Sequence, residues 1–311
     1  MLRTVVRSIH LEDKAEITLL LERIAIALER IADSLAGADQ SEETSDAVEL
    51  ESPDSPGPPE PVVPVDDIAR LRRFLASRGI SIKTLSSEQE SDETLDKIAL
   101  FLGNRLESVA AVLDSIKANM NAGRAFTLSL RNESQQTVAD TTNLCTSLYN
   151  IAFLTAYRYQ KSPTYQLYAT PSTSPRALNF YSGQWLERFV KTQVVSLLKS
   201  RSLEFSYICN TQISLPNGDD FELDMLFETS GEVFWLEAKT GDYRKHIEKY
   251  SKISKIIGLD RSHTFMILTD SVVTDNLARD LSNLFGMTVI RSEKFAQQLA
   301  TVLSADSSEE A

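Results

Sequence analysis

Three ionisable residues stand where apolar strands normally exclude them. In FELDMLFETSGEVFWLEAKTG (residues 221–241), Asp224 interrupts one apolar run, and Glu237 and Lys239 interrupt the next. Strands that read as buried carry such side chains only when they are paired or bind a cation. Side chains alternate faces along a strand, so Glu237 and Lys239 point one way and Ala238 the other. If the two runs pair as a hairpin through the short turn near 229–231, Asp224 comes to lie near Glu237. Two carboxylates at that distance each disfavour the other's ionisation unless a cation sits between them. Hard oxygen ligands suit Mg²⁺ or Mn²⁺, held at about 2.0–2.1 Å with several waters retained. A cation there makes bound water a better nucleophile and neutralises charge that grows on a phosphodiester. Lys239 is then expected to orient that water or to stabilise the phosphorane.

The elements around these residues must hold them in place. GQWLERFVKTQVVSLLKS (183–200) has helical periodicity, and three strand candidates follow: FSYICNTQISL, then DDFELDMLFE after a PNG turn, then EVFWLEAKT after a TSG turn. A basic helix over 242–258 comes next, then strand TFMILTD, helix DNLARDLSNLFG, strand MTVI and a closing helix. This order describes an α/β sandwich around a mixed sheet. On the basic helix, Lys245, Lys249 and Lys252 stack at helical spacing. With Tyr250 as a hydrogen-bond donor, they are the expected phosphate contacts. His246 and His263 have no metal-ligand partners at suitable spacing and are read as surface or loop residues. Gly-rich phosphate loops, Ser/His/Asp arrangements and CxxC pairs are missing from the sequence.

Asp224, twelve intervening residues and Glu237-Ala238-Lys239 resemble the D…(D/E)xK signature of the restriction-endonuclease-like, or PD-(D/E)xK, nuclease superfamily. GQWLE (183–187) resembles the GxWLE on the first helix of one branch, which includes the nuclease domains of CRISPR-associated, cyclic-oligoadenylate-activated nucleases. The resemblance covers about residues 178–305. It implies that Asp224 and Glu237 are direct ligands of Mg²⁺ or Mn²⁺, that Glu187 supports the metal through water, and that Lys239 is the catalytic lysine. The residues ahead of it do not resemble that branch's Rossmann-like nucleotide-sensing domain, so activation by a cyclic nucleotide is not implied.

Upstream, residues 68–177 read as a helical region of unknown role. IARLRRFLASRG ends at Gly79 like a capped helix, residues 95–120 read as one helix, and TTNLCTSLYNIAFLTAYRYQ (141–160) as a third. The Pro- and aromatic-rich segment 163–181 reads as extended. Residues 37–67 carry ten acids, no Lys or Arg, and six of the ten prolines, which marks an acidic linker expected to be disordered. Before it, Ile17, Leu21, Ile24, Leu28, Ile31 and Leu35 alternate steps of four and three. That is the seam of a coiled coil over residues 1–36, and Leu at a with Ile at d favours a trimer or tetramer.

The net charge of −12 resides in this linker and in an acidic tail (306–311); without their thirteen acids the remainder is about +1. The acidity therefore does not argue against a nucleic-acid partner. Two isolated cysteines exclude a disulfide framework or zinc site and fit a reducing cytoplasm. No apolar run approaches the roughly 18–20 residues of a membrane span. The whole reads as a cytoplasmic, metal-dependent endonuclease acting on DNA in preference to RNA, held as a homo-oligomer. The alternative is a catalytically inactive nucleic-acid-binding or scaffold protein using the same fold.

Overall fold

A two-residue turn sets the register on which everything else depends. Ser230 and Gly231 both adopt positive φ, 53° and 84°, the conformation that suits a tight hairpin between right-twisted strands. Thr229 consequently pairs with Glu232, and the ladder runs back through Phe227 opposite Phe234 to Met225 opposite Leu236. The computed structural model describes residues 68–85, 93–269 and 272–305. The heptad seam of 1–36, the acidic segment 37–67 and the tail 306–311 lie outside the described residues.

The elements in chain order are α1 (Ala69–Ala76), β1 (Ser81–Thr84), α2 (Glu93–Asn104), α3 (Leu106–Asn119), β2 (Phe126–Ser129), α4 (Gln135–Asn150), β3 (Leu154–Gln160) and β4 (Gln166–Pro171). There follow α5 (Pro175–Asn179), a π-helical turn (Phe180–Gln184), α6 (Trp185–Ser200), β5 (Phe205–Ser214), β6 (Asp220–Thr229) and β7 (Glu232–Lys239). The chain closes with α7 (Ile247–Ile257), β8 (Thr264–Leu268), α8 (Asp275–Phe285), β9 (Thr288–Arg291) and α9 (Phe295–Ala305). The main sheet has six strands in the order β1-β5-β6-β7-β8-β9. It is antiparallel from β1 to β7 and parallel from β7 to β9, the mixed sheet expected from the sequence. One face packs on α6, α9 and the segment 93–181 through Trp185, Phe189, Met225, Phe234, Leu236 and Phe265. The other packs on α1, α7 and α8 through Leu71, Leu226, Trp235, Ile253 and Met266.

The helical region expected over 68–177 contains four of the helices but strands as well. β1 joins the edge of the main sheet against β5, and Leu71 and Leu75 of α1 enter its core, so residues 68–85 belong to the main α/β body. β2, β3 and β4 form a second, antiparallel sheet in the order β2-β4-β3. The candidate helix 141–160 stops at Asn150; Ala152 turns the chain at φ 59°, and LTAYRYQ continues as β3. Alternating Tyr157, Arg158 and Tyr159 suit a pleated, half-buried strand better than a helix face. The single helix expected over 95–120 breaks at Arg105 into α2 and α3. Of the segment expected to be extended, 166–171 is strand, while Ser174 caps the short helix α5 by accepting from the Ala177 N–H.

Close approach of α2 to α6 brings the upper segment against the helix that carries Glu187. A Cβ at Gly103 would lie 2.3 Å from the Phe189 ring, so only glycine permits this crossing. Asp96 of α2 then accepts from Arg188 at 2.7 Å and from Lys191 at 2.9 Å, tying the two helices by a largely buried ion triad. No described helix is long and apolar enough to cross a membrane.

Candidate active site

The two hairpin strands part company beyond Met225 and Leu236. β6 stays paired with β5 as far as Asp220, whereas β7 stays paired with β8 as far as Lys239. In the fork, carboxylates take the place of the missing ladder partners. The Asp224 N–H donates to Glu237 Oε1 at 3.1 Å, and the Ala238 N–H donates to Asp224 Oδ2 at 3.0 Å. Lys239 closes the arrangement, with Nζ 2.7 Å from Asp224 Oδ2 and 3.2 Å from Glu237 Oε2. Asp224, Glu237 and Lys239 are thus brought into contact with one another at the fork.

The group is buried and short of positive charge. Glu237 is 1% exposed and Asp224 7%. Glu237 Oε1 is well satisfied, accepting also from Trp235 Nε1 at 2.9 Å. Its Oε2 accepts no hydrogen bond: Lys239 lies at ion-pair distance but not in hydrogen-bonding geometry. Burial, reinforced by the Asp224 charge, holds the Glu237 carboxyl well above the usual carboxylate range, and Lys239 only partly offsets this. Burial acts to lower the Lys239 ammonium, but Glu237 and Asp224 together outweigh it and the net shift is upward. The lysine is thus a held cation rather than a proton donor.

Lys239 opens onto a cleft of about 660 Å³ whose walls include Asn179, Ser182, Glu187, Asn210 and His246. The π-helical turn supplies one wall, and Thr240 pins it to the end of β7 by donating to the Ser182 carbonyl at 2.8 Å. Turns of this kind recur at functional sites because they re-aim the backbone within a helix. Glu187, in the first turn of α6, reaches the same cleft. Among the described residues no three His, Cys, Asp or Glu side chains form a cluster able to hold a metal. Glu187 accordingly stands apart from the Asp224–Glu237 pair. Cys209 of β5 is half-buried, and burial pushes its thiol up to about 12.

The predicted phosphate contacts divide. α7 begins at Ile247, so Lys245 lies in the preceding turn and does not share a helix face with the others. Lys249 and Lys252 are on the helix and exposed, Lys249 over the Phe221 ring at 5.0 Å and Lys252 paired with Glu248 at 3.1 Å. Tyr250 is a correction: it is 6% exposed, its ring edge-on to Phe221 and Trp235, because it falls on the core face of the amphipathic helix. Burial and the Glu237 charge push its hydroxyl up, and Lys239 Nζ lies 5.6 Å from its ring. His246 lines the cleft and stacks on Tyr250 at 6.0 Å. Lacking a motif, it carried no sequence signal beyond its place in the segment read as the basic helix. His263 is structural, stacked on Phe234 and bonded to Asp260 at 2.7 Å.

No protein-family model matches the chain, and no curated protein sequence matches it. Among solved structures, it is similar to protein VC1899 from Vibrio cholerae, with 17% identity and a TM-score of 0.47 over 75% of this chain and 60% of that one. It is also similar to Can2 from Sulfobacillus thermosulfidooxidans in complex with cyclic tetra-adenylate, with 17% identity and a TM-score of 0.48 over 74% of this chain and 58% of that one. The chain thus spans about three-fifths of the length of these two neighbours.

Proposed function

We propose that this protein is a metal-dependent nuclease that hydrolyses phosphodiester bonds, with DNA as its preferred substrate. One observation carries the reading: two buried carboxylates share a single cation at a strand fork, and the more deeply buried of them keeps an oxygen without a hydrogen bond. An orphaned acidic oxygen in a water-poor fork costs free energy unless a further cation engages it.

The donor set fits Mg²⁺ or Mn²⁺, which are commonly held by one or two carboxylates and keep several waters. Asp224 and Glu237 would hold the ion. When bound, it would supply Lewis-acid stabilisation of the phosphoryl oxygens and a more acidic water. The chain's own residues do the positioning. Lys239 offsets one of the two carboxylate charges and presents its ammonium to the cleft, where a phosphate oxygen would lie. Trp235 and the Asp224 N–H fix the Glu237 carboxylate by its other oxygen. Glu187 and His246 both line the approach. The heptad seam of residues 17–35 would hold several such domains in one assembly, letting two strands of a duplex be cut together.

The test is cleavage of plasmid DNA with Mn²⁺ or Mg²⁺ by the full chain and by Asp224→Asn and Glu237→Gln, which preserve shape. We expect a loss of about a thousandfold or more in each, with a cooperative thermal melt of each variant as the control for folding. Activity within tenfold of the parent in either variant sinks the reading. Salt-sensitive DNA binding without metal uptake by calorimetry would instead assign the inactive, nucleic-acid-binding alternative.

A further inference from the structure

The second sheet presents an open face that the cleft chemistry does not use. Register places Thr127 beside Tyr168 and Tyr168 beside Arg158, one row across all three strands. Ser129, Gln166 and Gln160 form the next row, and Thr170 with Ala156 the third. The opposite face of the same strands, with Leu128, Leu167, Ala169 and Tyr157, is packed into the core. Thr127, Ser129, Ala156, Arg158 and Gln160 are exposed. The Arg158 guanidinium lies over the Tyr168 ring at 4.6 Å, and the Tyr168 hydroxyl is tied to Gln166 at 2.6 Å, so the stacked pair is held in place. A depression of about 360 Å³ opens beside it.

The electrostatics of this face are unlike those of the chain as a whole. No Asp or Glu occurs between Asp140 and Glu187, nor anywhere in 115–132, although the chain carries 44 acids against 32 basic residues. Both acid-free runs meet in this sheet. Arg124 and Arg131 flank β2 and Lys161 follows β3, all exposed. The longer run continues through α5 into the π-helical turn, so the same neutral-to-basic chain supplies Asn179 and Ser182 to the cleft wall.

We propose that the open face of β2-β4-β3 binds single-stranded nucleic acid, with a base stacked on the Arg158–Tyr168 pair and phosphates near Arg124, Arg131 and Lys161. A planar guanidinium backed by an aromatic ring offers a stacking platform that any base can use, and amide and hydroxyl side chains around it donate to base edges. The absence of carboxylates matches a polyanion. A duplex hides its base faces and would use only the charges, so the stacked pair selects the single strand. The proposal rests on the nuclease reading only for its purpose, which is to hold a strand that leads to the cleft; binding itself does not require catalysis.

The experiment measures anisotropy of labelled oligothymidylate and of a labelled duplex with the full chain, in chelator so that nothing is cut. The parent should bind the single strand more tightly. Arg158→Glu and Thr127→Glu, both at exposed positions, should each weaken single-strand binding by about five- to a hundredfold. Arg124→Ala and Arg131→Ala should each lower the salt slope by about 0.7. Unchanged single-strand binding in both Glu variants overturns the assignment. An equal loss on duplex and single strand overturns the stacking mode in favour of a general phosphate contact. Melting of each variant within error of the parent establishes that the sheet is intact. Failure of the nuclease reading shows separately, as plasmid left whole by the parent with Mn²⁺.

Discussion

Two buried ion triads in this protein have opposite composition. At the α2–α6 crossing one acid, Asp96, serves two cations, Arg188 and Lys191. At the strand fork two acids, Asp224 and Glu237, share one cation, Lys239. The first joins residues 92 apart in sequence, Asp96 and Arg188, whereas the second lies within one hairpin. In the first, each Asp96 oxygen accepts a short charged hydrogen bond, and the triad acts as a lock between helices. In the second, Glu237 Oε2 is left without a hydrogen bond and its carboxyl is pushed strongly toward the protonated state. The lock satisfies its acid and leaves the Arg188 Nε without a hydrogen bond; the fork leaves a carboxylate oxygen, which only a further cation or proton would engage. That contrast is the physical content of the proposed active site.

The largest stability effect should come from breaking each triad at its shared member. Asp96→Ala strands two cations, one of them a guanidinium that cannot deprotonate, and should cost about 3–5 kcal/mol at any pH in denaturant titration. Lys239→Ala should approach the lower end of that range at pH 8, but less at pH 5, because Glu237 can take up a proton where Arg188 cannot release one. A cost that does not change with pH would place the two triads in the same class.

Next in size is the contact that holds the lock in register. Gly to Ala inside a helix ordinarily stabilises by about 1 kcal/mol. At Gly103 the added methyl would meet the buried Phe189 ring, so Gly103→Ala should instead destabilise by about 1–3 kcal/mol. Stabilisation in a thermal melt would show that α2 and α6 can separate without loss.

A smaller and opposite effect is expected at Glu237. The native carboxyl binds its proton more tightly than the unfolded chain does, so stability contributed by this group falls as pH rises from about 4.3 through its elevated native value. Glu237→Gln removes that slope. It should raise the melting temperature above that of the parent at pH 8, with the gain shrinking toward pH 5. A parent that outlasts the variant at pH 8 would mean that the fork is a structural ion cluster.

The smallest effect concerns the basic stripe. Replacing exposed Lys249 and Lys252 by Ala should change stability by no more than about 0.5 kcal/mol, yet lower the salt dependence of DNA binding by about one phosphate each. An unaltered slope would remove α7 from the substrate path.

The site was more legible than the region around it, and the reasons are specific. Asp224, Glu237 and Lys239 were readable because charge within an apolar run is anomalous in itself, and because the Ser230-Gly231 turn leaves one short register for the hairpin. Lys245, Lys249 and Lys252 were read as one stripe, but spacing does not reveal that the helix starts at Ile247. Tyr250 was assigned to substrate although Phe221 and Trp235 claim its ring, a contact between residues of three different elements. β3 was taken for helix because Leu144, Leu148 and Ile151 continue a helical period up to the point where Ala152 turns; the competing signal, alternation after Phe153, is short. β4 lies within the segment read as extended, but β2 was missed because it is a brief stretch whose partner, β4, is distant in sequence.

By itself, the sequence determined where charge is buried, which turn pairs the two strands, and that the acidity lies outside the main α/β region. These are local properties, carried by residue type and by spacings of two, three or four. Only the tertiary structure decided that β6 and β7 diverge past Met225, that α6 brings Glu187 to the cleft under the hold of Asp96, and that a second sheet leaves one face open. Each of those depends on which distant segment wins the competition for an apolar surface or an unpaired backbone group, and no window along the chain contains both competitors.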